Sequence, residues 1–253
     1  MKGVFFQKPL ELQLLVEGES WRQGDAVSGA LVAKNLGAAP ASLNDVGVEL
    51  ALGKIKEVRK KSAGAFEPIA SARFAPGTVV QPGKEERLSW KFETDRNCAI
   101  TDTAASPFLV YGHGPLEQQG QLQLRVNPTQ VIEDVLGIFE VAFRFVRKSA
   151  KSSKGWIEIK LAPPDSKAFA MLEQLNAFFR FESDTLHARY VFNLKKLEAT
   201  ATAGSGIDVK KLKQERAFEY PVHHYRIPSG RFDHERMEAS IRELLAPFES
   251  KLL

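Results

Sequence analysis

Residues 10–29 read LELQLLVEGESWRQGDAVSG. Leu10, Leu12, Leu14 and Val16 occupy alternate positions, and a period of two places their side chains on one face of an extended strand. Gly24-Asp25 then marks a turn, and Val27 and Gly29 open the next extended run. The same signature recurs outward along the chain. Val46, Val48, Leu50 and Leu52 alternate; Pro82-Gly83 leads into Leu88, Trp90 and Phe92; Leu122, Leu124 and Val126 follow. Between Gly53 and Gly83 the chain reads as a long loop or an edge strand. Strands separated by Gly and Pro turns predict a β-sandwich over residues 1–126. Such a fold buries its facing sheets and leaves edges and loops to solvent.

At Asn127-Pro128-Thr129-Gln130 the period changes. Asn127 suits an N-cap, Pro128 the first helical position and Gln130 the capping-box partner. Ile132, Val135, Leu136, Phe139, Phe143 and Val146 then recur at helical spacing, which predicts a linking helix over 127–148. Ser149 to Gly155 reads as a flexible polar loop. Alternation returns at Ile157, Ile159 and Leu161, at Leu175 to Phe181, at Leu186 to Leu194 and at Phe218 to Val222. Residues 168–175 fit a helix or a strand equally. Met237, Ile241, Leu244, Leu245 and Phe248 form the stripe of a C-terminal helix over 233–246, with Asp233 as cap and Pro247 as stop. The expected fold is mainly β: two sandwich lobes, 1–126 and 127–253, with a linking helix and a C-terminal helix.

Composition narrows the function classes. Hydrophobic content of 43% with 26% charged residues gives the 253-residue chain material for a real core. Net charge is +4, from 15 basic and 14 acidic side chains up to Val126 and 20 and 17 beyond it, so neither half has the excess of a nucleic-acid-binding domain. The chain contains no apolar run of membrane-spanning length. Residues 1–9 lack the apolar stretch and cleavage signal of a leader peptide, and Cys98 is the sole cysteine, which excludes an internal disulfide. A cytoplasmic protein is expected.

The first half resembles the arrestin-like fold. The likeness rests on the early strand, on Gly24-Asp25-x-Val27-x-Gly29, on the Val46–Leu52 alternation, and on Pro82-Gly83 before Leu88-x-Trp90-x-Phe92. Residues 9–195 are similar to the bacterial sporulation-control family with that fold, which also closes its first domain with a short strand, a proline and a helix. The resemblance implies a two-lobed adaptor without an active site, which binds protein partners through strand edges and loops.

The chemistry-bearing residues agree with that expectation. His223 and His224 are adjacent, and in a strand they point to opposite faces, so they could not share a metal ion. No HExxH spacing is present. Cys98 has Arg96 nearby but no neighbouring histidine to act as base. Gly204-Ser205-Gly206 lacks the strand-turn-helix setting of a serine nucleophile. The carboxylates form no recognisable acid/base pair. We therefore expect no enzyme, cofactor, metal or nucleic acid.

Basic runs are the remaining signal. Lys54, Lys56, Arg59, Lys60 and Lys61 surround one acid, Glu57; Arg144, Arg147, Lys148, Lys151 and Lys154 fall within eleven residues without an acid; Lys210, Lys211, Lys213 and Arg216 form a third group. Such clusters suit contact with an anionic membrane or a phosphorylated partner. They equally suit a solvated face, and in the first run an edge that lysines protect from pairing. Lys54, Lys56, Arg59, Lys60, Lys61, Arg147, Lys148, Lys151 and Lys154 are the candidate contacts. A small-ligand carrier or unrecognised enzyme is the further alternative, and it requires a deep pocket with converging polar groups.

Overall fold

Leu10, Leu12, Leu14 and Val16 are buried along a strand whose intervening residues face outward, as their spacing requires. A computed structural model describes residues 1–199 and 207–249, with side chains except at 196–199 and 207–211. The chain divides into two units, Met1–Pro128 and Thr129–Leu253.

The first unit contains β1 (Lys2–Gln7), β2 (Leu10–Val16), β3 (Trp21–Arg22), β4 (Ala26–Asn35), β5 (Ala41–Ser42) and β6 (Gly47–Lys54). A short helix, α1 (Ile55–Lys60), follows β6. Next come β7 (Phe66–Arg73), β8 (Val79–Val80), β9 (Glu85–Glu93), β10 (Ala105–Gly112), β11 (Gly120–Gln123) and β12 (Val126–Asn127). Two antiparallel sheets, ordered β1-β2-β4-β9 and β11-β10-β6-β7, form the sandwich. Leu12, Leu14, Val27 and Leu31 from one sheet join Val48, Leu50 and Leu109 from the other in a single core. Truncating Leu12 or Leu109, both fully buried, to alanine costs about 2–5 kcal/mol.

The glycine motif has a steric explanation. Gly24 turns the chain at φ +88°, and Asp25 Oδ2 accepts the Arg22 N–H at 2.7 Å. Gly29 lies against the Leu15 carbonyl and the Trp90 ring, where a Cβ would approach the indole to 2.7 Å. Close packing of Trp90, which stacks on Phe92 at 5.3 Å, requires glycine there.

The second unit begins with α2 (Gln130–Val141) and continues through β13 (Val146–Ser153), β14 (Trp156–Ala162), β15 (Leu172–Glu182), β16 (Thr185–Ala199) and β17 (Ile207–Tyr220). It ends with α3 (Val222–Tyr225) and α4 (His234–Leu245). The five strands form one antiparallel sheet in sequence order. Its inner face carries Ile157, Ile159, Ala177, Phe179, Tyr190 and Phe192, all buried. Alternation required a cover for this face, and we expected a second sheet. Among the described residues the cover is helical: Phe139 of α2 meets Tyr190 at 5.9 Å, and Phe248, just past α4, stacks on Phe192 at 3.8 Å. Period-two spacing specifies that a face is buried, not what buries it.

Several boundaries differ from expectation. Asn127 is held in β12, paired with Arg22 of β3, so the cap passes to Thr129, whose Oγ accepts the Ile132 N–H at 3.4 Å. The linking helix stops at Val141 and not at 148, because the chain turns at Arg144, whose φ is +57°. The expected polar loop at 149–155 is instead part of a hairpin, in which β13 pairs with β14 across a turn at Lys154-Gly155. The ambiguous 168–175 stretch is a short 3-10 turn, Lys167–Phe169, followed by the start of β15. At the end of the chain Asp233 caps α4 by accepting the Arg236 N–H at 3.1 Å. Among the described residues no helix is long and apolar enough to cross a membrane.

Candidate functional site

Eight consecutive residues, Lys54 to Lys61, place the first basic cluster. Within α1, Ile55 and Val58 are three apart and share a face, which packs on a small core of Ala51, Ala65, Phe66, Phe108 and Val110. Lys56, Arg59 and Lys60 have the same i, i+3, i+4 relation and occupy the opposite, exposed side. Lys54 precedes the helix in extended conformation. Lys61 closes it in the left-handed region at φ +53°, its N–H bonded to Val58 O at 3.0 Å. All five cations are exposed, and among the described residues none takes part in an ion pair. Arg59 and Lys60 lie in the last turn, where the helix dipole favours positive charge. The run is therefore an amphipathic helical turn presenting its cations outward, not the protected edge strand that its alternation also allowed.

The second cluster is used differently. Arg147 Nη1 and Nη2 donate to the two carboxylate oxygens of Glu133 at 3.0 and 2.9 Å, and Nε donates to Glu140 at 3.0 Å. Burial lowers the guanidinium pKa, but the hydrogen bonds and charges of Glu133 and Glu140 outweigh it and leave the pKa raised. Lys151 stands opposite Glu158 in the hairpin, 2.9 Å from its carboxylate. Lys148, at the register break of β13, and Lys154, in the turn, are exposed and, among the described residues, outside any ion pair. Of the third group, Arg216 lies over the Phe248 ring at 5.8 Å and Lys213 is exposed, while the side chains of Lys210 and Lys211 fall outside the described residues, as does Gly204-Ser205-Gly206.

The nucleophile and metal candidates do not assemble. Cys98 is partly buried, and that burial pushes its thiol pKa up, the reverse of activation. His223 and His224 lie on the helical turn α3 and not in a strand. His224 Nε2 is 2.9 Å from Ser240 Oγ, and burial, with Arg236 nearby, lowers its pKa. His187 stands between Glu182 and Glu219 at 3.5 and 3.6 Å. Among the described residues no three His, Cys, Asp or Glu side chains are grouped to hold a metal ion. The sequence reading passed over Ile69, 56% exposed on β7; the preceding Pro68, atypical in a paired strand, was the available signal.

No protein-family model and no curated protein matches the chain. Among solved structures it matches the crystal structure of Spo0M, the sporulation control protein from Bacillus subtilis. The TM-score is 0.63, with 18% identity over 94% of this chain and 98% of that one. At that identity the likeness concerns fold alone. The protein therefore has the mainly β, arrestin-like fold of Spo0M, a fold resemblance to the sporulation-control family that its strand spacing anticipates.

Proposed function

We propose that the protein is a regulatory binding protein and not an enzyme, and that the α1 face contacts an acidic or phosphorylated segment of a protein partner. The carrying observation is the α1 cluster: five exposed cations that among the described residues enter no ion pair, held on a turn anchored by Ile55 and Val58. Unpaired cations on an ordered element keep their charge available, and Arg and Lys fit phosphate and carboxylate oxygens. Fold likeness to a sporulation control protein supports the regulatory character. Two of the sheet edges, β9 and β7, are less suited to recruitment. β9 carries Glu85, Glu86, Arg87, Lys91 and Glu93, and β7 is interrupted by Pro68, both of which oppose addition of a partner strand.

A pull-down with the full chain and with a Lys56→Glu, Arg59→Glu, Lys60→Glu variant tests the reading. A partner retained by the native chain and lost by the variant supports it; identical recovery by both removes it. The same exposed cluster supports a second reading, docking to anionic lipid. That reading requires binding to anionic but not neutral vesicles, weakening as salt shortens the screening length to about 10 Å at 0.1 M.

A further inference from the structure

In the first unit β7 is outermost in its sheet and β9 outermost in the other, and residues of β7 and of the loop that leaves β9 line one cleft of about 290 Å³. Leu52, Leu124 and Val126 give it an apolar lining. Ile69 stands at its mouth because the β6–β7 register steps from Leu50↔Ala70 to Ala51↔Pro68 and leaves it unpaired. A bulge of this kind re-aims a side chain and ends regular pairing. Pro68 beside it offers no N–H, so a partner strand cannot continue along this edge.

The charge at the mouth is opposite to that of α1. Glu67, Glu93 and Asp95 line it. Glu93 has a counter-ion in Lys91 at 2.5 Å, and the Asp95 carboxylate accepts the Asn97 N–H at 2.7 Å, whereas Glu67 takes part in no ion pair among the described residues. The volume falls just below the roughly 300–1,000 Å³ range of small-molecule sites, which favours one or two inserted side chains over a cofactor. Apolar walls rimmed by carboxylates complement an apolar side chain with a cation next to it.

We propose that this cleft docks a short segment of a partner protein presenting a leucine-sized side chain beside a lysine or arginine. The site is separate from α1 and of opposite charge preference, so it goes beyond the anion-contact reading and does not depend on it.

Cys98, the sole cysteine, lines the cleft and reports its occupancy. The experiment measures the rate of Cys98 alkylation by iodoacetamide in the full chain, with and without the capped peptide Lys-Leu-Leu-Lys. The affinity of the same peptide is determined by calorimetry. With peptide at about four times its Kd, occupancy slows alkylation about fivefold. Ile69→Asp and Glu67→Lys, both at exposed positions that leave circular dichroism unchanged, weaken the peptide about tenfold each. Lys56→Glu on α1 leaves protection unaltered, which separates failure of this site from failure of the α1 reading. The proposal is overturned if Lys-Leu-Leu-Lys gives no protection, if Glu-Leu-Leu-Glu protects equally, or if Ile69→Asp makes no difference.

Discussion

The basic runs at 54–61 and 144–154 look alike as sequence, each with five cations in a short stretch. Folded, they diverge. The first keeps all five cations exposed on and around α1 and, among the described residues, without ion pairs. The second commits Arg147 to Glu133 and Glu140, and Lys151 to Glu158. The difference lies in what the topology brings opposite. α1 is a short helix between two strands, and among the described residues no carboxylate forms an ion pair with its cations. β13 pairs with a strand that carries Glu158, while α2 supplies two carboxylates seven residues apart. Local cation density therefore says little about available charge until the counter-ions have been located.

The largest expected effect that tests this contrast is on binding. Reversing Lys56, Arg59 and Lys60 to Glu removes about 3 kcal/mol or more of attraction to an anionic surface, at about 1 kcal/mol per cation. Equilibrium titration with anionic vesicles, or with the captured partner, measures it. Next is stability in the second cluster. Arg147→Met leaves the partly buried Glu133 and Glu140 unpaired and costs about 2 kcal/mol, between the values for surface and buried pairs, read as a lowered urea midpoint. Pairing Arg147→Met with Glu133→Gln recovers part of that loss, because the orphaned carboxylate is then neutral; a strictly additive double mutant would show that the geometry carries no coupling. Lys151→Ala is smaller, at most about 1 kcal/mol for a half-exposed pair. Smallest is the effect of the α1 reversals on stability, within about 0.5 kcal/mol, since those side chains are exposed. A substantial fall in midpoint there would mean that the α1 cations have a structural role.

How far the fold was legible follows the same division between local pattern and distant partner. Leu10 to Val16, Val46 to Leu52 and Leu88 to Phe92 announce strands because each has one wet and one buried face, and alternation records that directly. β13 carries VRKSAKSS, with no apolar face to announce, and is a strand only because β14 pairs with it. α1 offered just two apolar anchors, Ile55 and Val58, too few for a period to emerge above the lysines. Asn127 read as the better cap than Thr129 until β12 occupied it. Of the candidate site, the cations of α1 were legible as residue types, but their freedom from counter-ions was not. The cleft was illegible, since its walls come from β6, β7, β10, β12 and the loop that leaves β9, and only Pro68 hinted at an interruption.

The clamp on Arg147 also bears on how the chain reaches its fold. Its bonds close loops of only 7 and 14 residues, and the Phe145 N–H bonds back to Phe139 O at 2.9 Å while their rings meet at 5.8 Å. Short loops cost little closure entropy. The α2–β13 corner is thus held by local contacts, like the β13–β14 and β15–β16 hairpins, whose closure costs less entropy than any pairing between distant segments.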